Sequence, residues 1–312
     1  MSGYVVIGFD GSGTGEDALA LGVRLAEATG DKPVVATVHP ASPPGTGHVD
    51  AEWIAVMHEQ ADQTLERARS IVGKATGSDL EVDYRNVPSG SAAHGLDDLA
   101  EELDASVIVV GSGHSGALRR ITAGSTAERL LHGASTPVLV APRGHRERAT
   151  PGLSVVGCGF IDAPDGYEAL RAATRLAAQA SAGLQVYSVI APSQEFGLIG
   201  GRDAQRAYTE AARESFGAAL ERATAQIADA VPVTSSLLEG DVVGALASLD
   251  DRDVDLLVVG SRSYGPVRRV LLGGTSTRLV RRAACPVMVV PRCAGGPLLD
   301  TETALESGAA AG

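Results

Sequence analysis

The sequence predicts an α/β protein made of two doubly wound, five-stranded parallel-sheet domains. Three observations carry that expectation. Short, Val-rich apolar runs alternate with segments whose apolar residues recur at spacings of three and four, the alternation that builds parallel sheets through right-handed crossovers. The runs are apolar on both faces, as a sheet covered on each side by helices requires. The chain also contains itself twice. Val109–Arg143 (VVGSGHSGALRRITAGSTAERLLHGASTPVLVAPR) falls on Val258–Arg292 (VVGSRSYGPVRRVLLGGTSTRLVRRAACPVMVVPR) at a shift of 149, with 17 of 35 positions identical.

In the first copy, strands are expected at 3–9 (GYVVIGF), 33–39 (PVVATVH), 80–87 (LEVDYRNV), 106–111 (SVIVVG) and 137–141 (PVLVA). Helices are expected at 14–29, 51–73, 91–103 and 125–133, with Leu65, Ala68, Ile71 and Val72 marking one apolar face of the second. The second copy repeats the strands at 153–160, 184–190, 232–238, 255–260 and 286–290. The starts of the copies also correspond: VVIGFDGSGTGEDAL from Val5 lies on VGCGFIDAPDGYEAL from Val156, at a shift of 151. The polar stretch RGHRERATPG at 143–152 separates them. The expected domains are therefore 1–145 and 152–293, followed by a small-residue tail at 294–312 that is expected to be disordered.

Composition narrows the function. The chain has 312 residues, 44% of them hydrophobic and only 4% aromatic, so the core must be Val, Leu, Ile and Ala. A net charge of −12 argues against a nucleic-acid binder, which needs a basic face. It leaves room for a small anion, because backbone N–H groups attract one locally. Cys158, Cys285 and Cys293 form no CxxC pair, so neither a disulfide framework nor a zinc site is expected. His39, His48, His58, His94, His132 and His145 show no metal-ligand spacing. No Walker lysine motif, GxSxG elbow or HExxH is present. The opening MSGYVVIGFD reads directly as a strand, and no apolar run approaches the ~20 residues of a membrane span. A cytoplasmic location is expected.

In a doubly wound sheet the ligand sits beyond the carboxyl ends of the strands, where the winding reverses. The loops after the first and fourth strands, FDGSGTGED (9–17) and GSGHSGALRRITAGST (111–126), should flank that crevice. Ser125 and Thr126 open a helix whose free N–H groups can meet an anion. The same Ser125 can instead be an N-cap closed by Glu128 in a capping box. Asp10 can accept hydrogen bonds from a ribose or an exocyclic amine, or can be a simple Asp-Gly turn residue.

These features resemble the universal stress protein family in its tandem two-domain form. The strand ending in Asp-Gly-Ser, the glycine loop after the fourth strand and the closing helix followed by Pro-Val-x-Val carry the resemblance over 3–143 and 153–292. It implies a strand order of 3-2-1-4-5 in each domain. It also implies an internal pseudo-dimer in which Thr136–Ala141 pairs with Cys285–Val290, with a further homodimer left open. It implies a stress-response regulator that binds ATP or AMP, with Mg accompanying a triphosphate, rather than a metabolic enzyme. Slow ATP hydrolysis stays open, as does a ligand-free interaction scaffold with degenerate sites.

The binding residues implied in the first domain are Asp10, Val38, Gly111, Gly113, His114, Gly116, Gly124, Ser125 and Thr126. His114 stands where the family's nucleotide motif has its second glycine, and Gly113 and Gly116 beside it allow a shifted cradle. The weaker second-domain candidates are Gly260, Ser261, Gly273, Gly274, Thr275 and Ser276. Ile161 there replaces Asp10, with Asp162 one place later, and Ser263 replaces the second glycine.

Overall fold

The computed structural model describes residues 3–41, 51–75, 80–113, 124–148, 152–191, 201–227, 231–261 and 274–291. The first half runs β1 (Tyr4–Gly8), α1 (Gly13–Thr29), β2 (Lys32–Pro40), α2 (Ala51–Ala75), β3 (Asp83–Ser89), α3 (Ala92–Glu102), β4 (Val107–Gly111), α4 (Ser125–Gly133) and β5 (Val138–Ala141). A 3-10 turn, His145–Glu147, leads into the second half. There follow β6 (Val155–Gly159), α5 (Pro164–Gln179), β7 (Gly183–Ile190), α6 (Gly201–Thr224), β8 (Val233–Glu239), α7 (Val242–Ala247), β9 (Leu256–Gly260), α8 (Gly274–Val280) and β10 (Val287–Val290).

Local chemistry sets the ends of these elements. Ser12 caps α1, its side chain accepting from Gly15 N at 3.1 Å, and Gly30 ends the helix in the left-handed region at φ 73°. Ser91 caps α3 and Asp241 caps α7 in the same way. Pro164 opens α5, where the missing N–H costs nothing. β3 begins at Asp83, later than the run from Leu80, because Leu80 and Val82 pack against the core as a lead-in instead of pairing with β2.

All ten strands form one sheet in the order β3-β2-β1-β4-β5-β10-β9-β6-β7-β8. Within each half every pairing is parallel. The order 3-2-1-4-5 expected for each domain is what the sheet has, in mirror sequence across the centre. The halves meet through the antiparallel pair β5–β10, with Leu139 opposite Met288 and Val138 and Val140 opposite Val289 and Val287. This is the expected pairing of Thr136–Ala141 with Cys285–Val290. Two apolar strands that would otherwise expose open edges are buried at 0–1% exposure.

The helices divide between the two faces. Strand residues Val5, Ile7, Val35, Val107 and Val109 pack on one side with Leu19 and Leu25 of α1 and Leu65 and Ala68 of α2. Val6, Val34, Ile108 and Val110 pack on the other with Leu96 and Leu99 of α3 and Leu130 and Leu131 of α4. The second half repeats this division, and both packed layers run unbroken across the β5–β10 join. Cys158 and Cys285 are buried free thiols whose pKa burial pushes up to about 12. They act as small core residues.

Residues 144–148, which lead out of the first half, are docked on both halves. Asp17, fully buried on α1, accepts from Gly144 N at 2.8 Å and Arg146 N at 3.0 Å. Arg148 donates through Nη2 to Ala284 O at 2.9 Å and lies 3.7 Å from Asp251. Between these anchors the His145 ring is buried at 2% exposure, with no hydrogen-bond partner on either nitrogen.

Candidate functional site

In the first half the winding reverses between β1 and β4, and a cleft of ≈ 490 Å³ opens above their carboxyl ends. Gly8, Phe9, Ala36, Val38, Leu96 and Val110 give it apolar walls. Asp10, Gly111, Ser112 and Gly113 line it from the strand ends, and Gly124, Ser125, Thr126 and Ala127 from the start of α4. Asp10, Val38, Gly111, Gly113, Gly124, Ser125 and Thr126 therefore converge on one space. His114 and Gly116 lie outside the described residues.

Asp10 does local work as well as facing the cleft. Its Oδ1 accepts from Ser12 N at 3.0 Å and Ser12 Oγ at 2.5 Å, an Asx turn that delivers the chain into α1. Ser12 Oγ in turn caps the helix, so Asp10, Ser12 and Gly15 form one chain of hydrogen bonds. The turn reading and the ligand reading of Asp10 thus describe different parts of the same exposed carboxylate.

Gly111 has a packing reason of its own. A Cβ there would sit 2.1 Å from the carbonyl oxygen of Thr14, because the first turn of α1 presses on the end of β4. Gly260, its counterpart, would meet Asp165 O at 2.5 Å. The repeated glycine is required by helix–strand contact in both halves, before any ligand is considered.

At α4 the capping-box reading is corrected. Gly124, not Ser125, is the N-cap, with extended backbone (φ −76°, ψ 166°) and no side-chain hydrogen bond to the helix. Ser125 is the first helical residue, and Glu128 reaches across the halves to pair with Arg281. The first turn of α4 thus lacks the N-cap side-chain bond that α1 and α3 carry, and Ser125, Thr126 and Ala127 of that turn line the cleft with no side-chain cap among the described residues. Among the described lining residues Asp10 carries the only charge. Among the described residues, attraction for an anion therefore rests on these backbone donors and the helix dipole.

The second half is built differently. Its cleft measures ≈ 120 Å³ and is lined by Phe160, Ile161, Tyr187, Val189, Phe216 and Leu246, among others. Strand pairing explains the loss of space. Ala36 stands opposite Gly8 in the first half, and Tyr187 stands opposite Gly159 in the second. A ring buried at 7% exposure occupies the place of a methyl group. Burial pushes the Tyr187 hydroxyl up to about 12.

The slipped acid, Asp162, turns away to accept from Tyr167 Oη at 2.9 Å and Arg222 Nη2 at 3.0 Å. Gly260, Thr275 and Ser276 do line the small cleft, but Ser276 spends its hydroxyl on Gly260 O at 3.0 Å. Ser261 is fully buried and is not among the described walls of this cleft. Gly274 opens α8, and Gly273 lies outside the described residues.

Ala36, Tyr187 and Ser112 are the positions the sequence reading missed. The 151-residue shift already sets Ala36 on Tyr187. Among the described residues no group of three His, Cys, Asp or Glu side chains is arranged to hold a metal ion, and no helix is long and apolar enough to cross a membrane.

Comparison with known proteins fits this geometry. The sequence profile of the Universal stress protein family matches residues 1–142 and 156–291. A universal stress protein of Mycobacterium tuberculosis strain H37Rv is 30% identical over 295 residues, covering 92% of this chain and 99% of its own length. One from Mycolicibacterium smegmatis is 27% identical over 297 residues, covering 92% and 96%. Among solved structures, a universal stress protein from Archaeoglobus fulgidus superposes with a TM-score of 0.66 at 20% identity, covering 94% of this chain and 99% of that one.

Proposed function

The chain belongs to the universal stress protein family, and from that premise we propose that it is a stress-response regulator whose first half binds an adenine nucleotide, ATP or AMP. The observation that carries the reading is the cleft of ≈ 490 Å³ beside the N-terminus of α4, which no side chain caps among the described residues. Its two ends have different chemistry. Phe9, Ala36, Val38 and Leu96 suit a flat apolar base, Asp10 suits the hydroxyls of a sugar, and the N–H groups of Ser125, Thr126 and Ala127 suit phosphate. Mg would accompany ATP through its phosphate oxygens. No catalytic role is assigned to any residue, and the reading includes a cytoplasmic location, which cell fractionation tests.

Titration calorimetry with ATP and AMP is the direct test. Saturable heat supports the reading, and absence of heat from the wild type at millimolar ATP removes it. A ligand-free interaction scaffold is the second reading. The packing need for Gly111 and Gly260 favours it, since that need accounts for the repeated glycine without a ligand.

A further inference from the structure

β8 closes one end of the ten-stranded sheet and β3 closes the other. β8 pairs with β7 along its whole length, from Val233 opposite Leu184 to Glu239 opposite Ile190. Leu184 N donates to Pro232 O at 2.8 Å, and Gly240 N donates to Ile190 O at 3.0 Å. Backbone direction alternates along a strand, so the even-numbered residues between these two bonds face β7. The N–H and C=O groups of Val233, Ser235, Leu237 and Glu239 therefore point away from the sheet, and no described group bonds them. Thr234, Ser235 and Glu239 are exposed.

The two edges differ in their protection. β3 carries the Asp83–Arg85 ion pair at 2.8 Å. Pro88, which has no N–H to offer, stands where the 151-residue shift sets Glu239. Charge and proline are what keep an open edge from pairing. β8 has no proline, and its one ionised side chain, Glu239, is held by Arg213 of α6.

We propose that β8 is a docking edge for a second copy of this chain, the two β8 strands pairing antiparallel about a two-fold axis beside Ser236. The molecule already joins its homologous halves in this manner, edge to edge and antiparallel, through β5 and β10. With Ser236 opposite Ser236 of the partner subunit, Ser235 faces the partner's Leu237 and Val233 faces the partner's Glu239. That register sets no carboxylate against another. It uses every outward group, for about eight hydrogen bonds along an edge of ~23 Å. One strand pair is a small interface, so the dimer is reversible and forms with rising concentration.

Sedimentation equilibrium of the full-length wild type, Ser235→Pro and Ser235→Lys, with melting of each, reads the association. Proline at 235 removes an outward donor and no bond to β7. Lysine keeps the donor and adds like charges across the axis, so it reports even where proline disturbs the strand. The wild type is expected to move from one chain mass toward two as concentration rises. Both variants should associate at least about ten-fold more weakly at an unchanged melting point. Ser236→Cys and Arg85→Cys, each combined with Cys293→Ser, compare the two edges at matching positions. Directly opposed residues lie within disulfide reach, so mild oxidation should cross-link the first into dimers and leave the second single. A wild type that stays at one chain mass up to about millimolar concentration leaves the edge to a different strand and overturns the proposal. A dimer that both Ser235 variants leave intact overturns it too, as does equal cross-linking from the two edges.

Discussion

Acidification should loosen this protein through one side chain, His145. Its ring sits in the connection between the halves at 2% exposure, with both nitrogens unpartnered. Burial, and then the guanidinium groups of Arg148 and Arg24, lower its pKa from 6.5 to about 3. Two anchors hold the segment in place. Asp17 of α1 binds Gly144 and Arg146, and Arg148 binds Ala284 and lies near Asp251 of the second half. Arg24 donates to Arg148 O at 3.5 Å, so cations flank the ring and no carboxylate pairs with it.

The folded pKa lies below the unfolded one, so the unfolded chain binds the extra proton between pH 6.5 and about 3. No penalty exists above pH 6.5. Below it, stability falls by up to ~1.4 kcal/mol per pH unit, or about 2 kcal/mol between pH 6.5 and 5. His145→Leu removes the titration while keeping the ring's place apolar. Urea denaturation of both proteins at pH 7.5 and pH 5 should show the wild type losing about 2 kcal/mol more than the variant. Parallel losses in the two proteins would refute the argument, because every other titrating group is common to both.

Two further predictions concern the cleft and the join. Ala36→Tyr should copy the second half's obstruction into the first and weaken nucleotide binding by more than about ten-fold, measured by calorimetry, while the protein still folds, since the ring enters open space. Leu139→Asp should put an unpaired carboxylate into the β5–β10 join at 0% exposure and cost several kcal/mol in urea denaturation.

Much of the fold was legible because the two strongest signals were redundant. The inner strand runs were apolar on both faces, unlike the outer strands β3 and β8, and each run appeared twice, so an error in one copy was checked by the other. The β5–β10 pairing was implied by the family resemblance, and the two apolar runs TPVLVAP and CPVMVVP supplied edges that need cover. The site was less legible. Gly111 looked like a ligand glycine, yet its nearest constraint is the Thr14 carbonyl, a tertiary contact that no local pattern encodes. Ser125 with Glu128 matched a capping box, but cross-half pairing of Glu128 with Arg281 competes for the same carboxylate. Tyr187 carries no local pattern that marks it out in the sequence. Only the register opposite Gly159 shows that its ring stands where Ala36 leaves room.

The central claim is that one half of the chain, the first, holds an adenine nucleotide on the start of α4. Gly124→Asp tests it most directly. The backbone at Gly124 suits any residue, and Asp is a favoured N-cap worth about 1 kcal/mol to the helix, although its Cβ would press on Gly113 Cα at 3.2 Å. The new carboxylate would sit where phosphate is expected, so a folded protein should lose the ligand through charge alone. Calorimetric titration with AMP, with melting of the ligand-free protein beside it, is predicted to give one site per chain in the wild type. The variant should give none, at an undiminished melting point. Two sites per chain in the wild type, or unchanged affinity in a well-folded Gly124→Asp, would contradict the account.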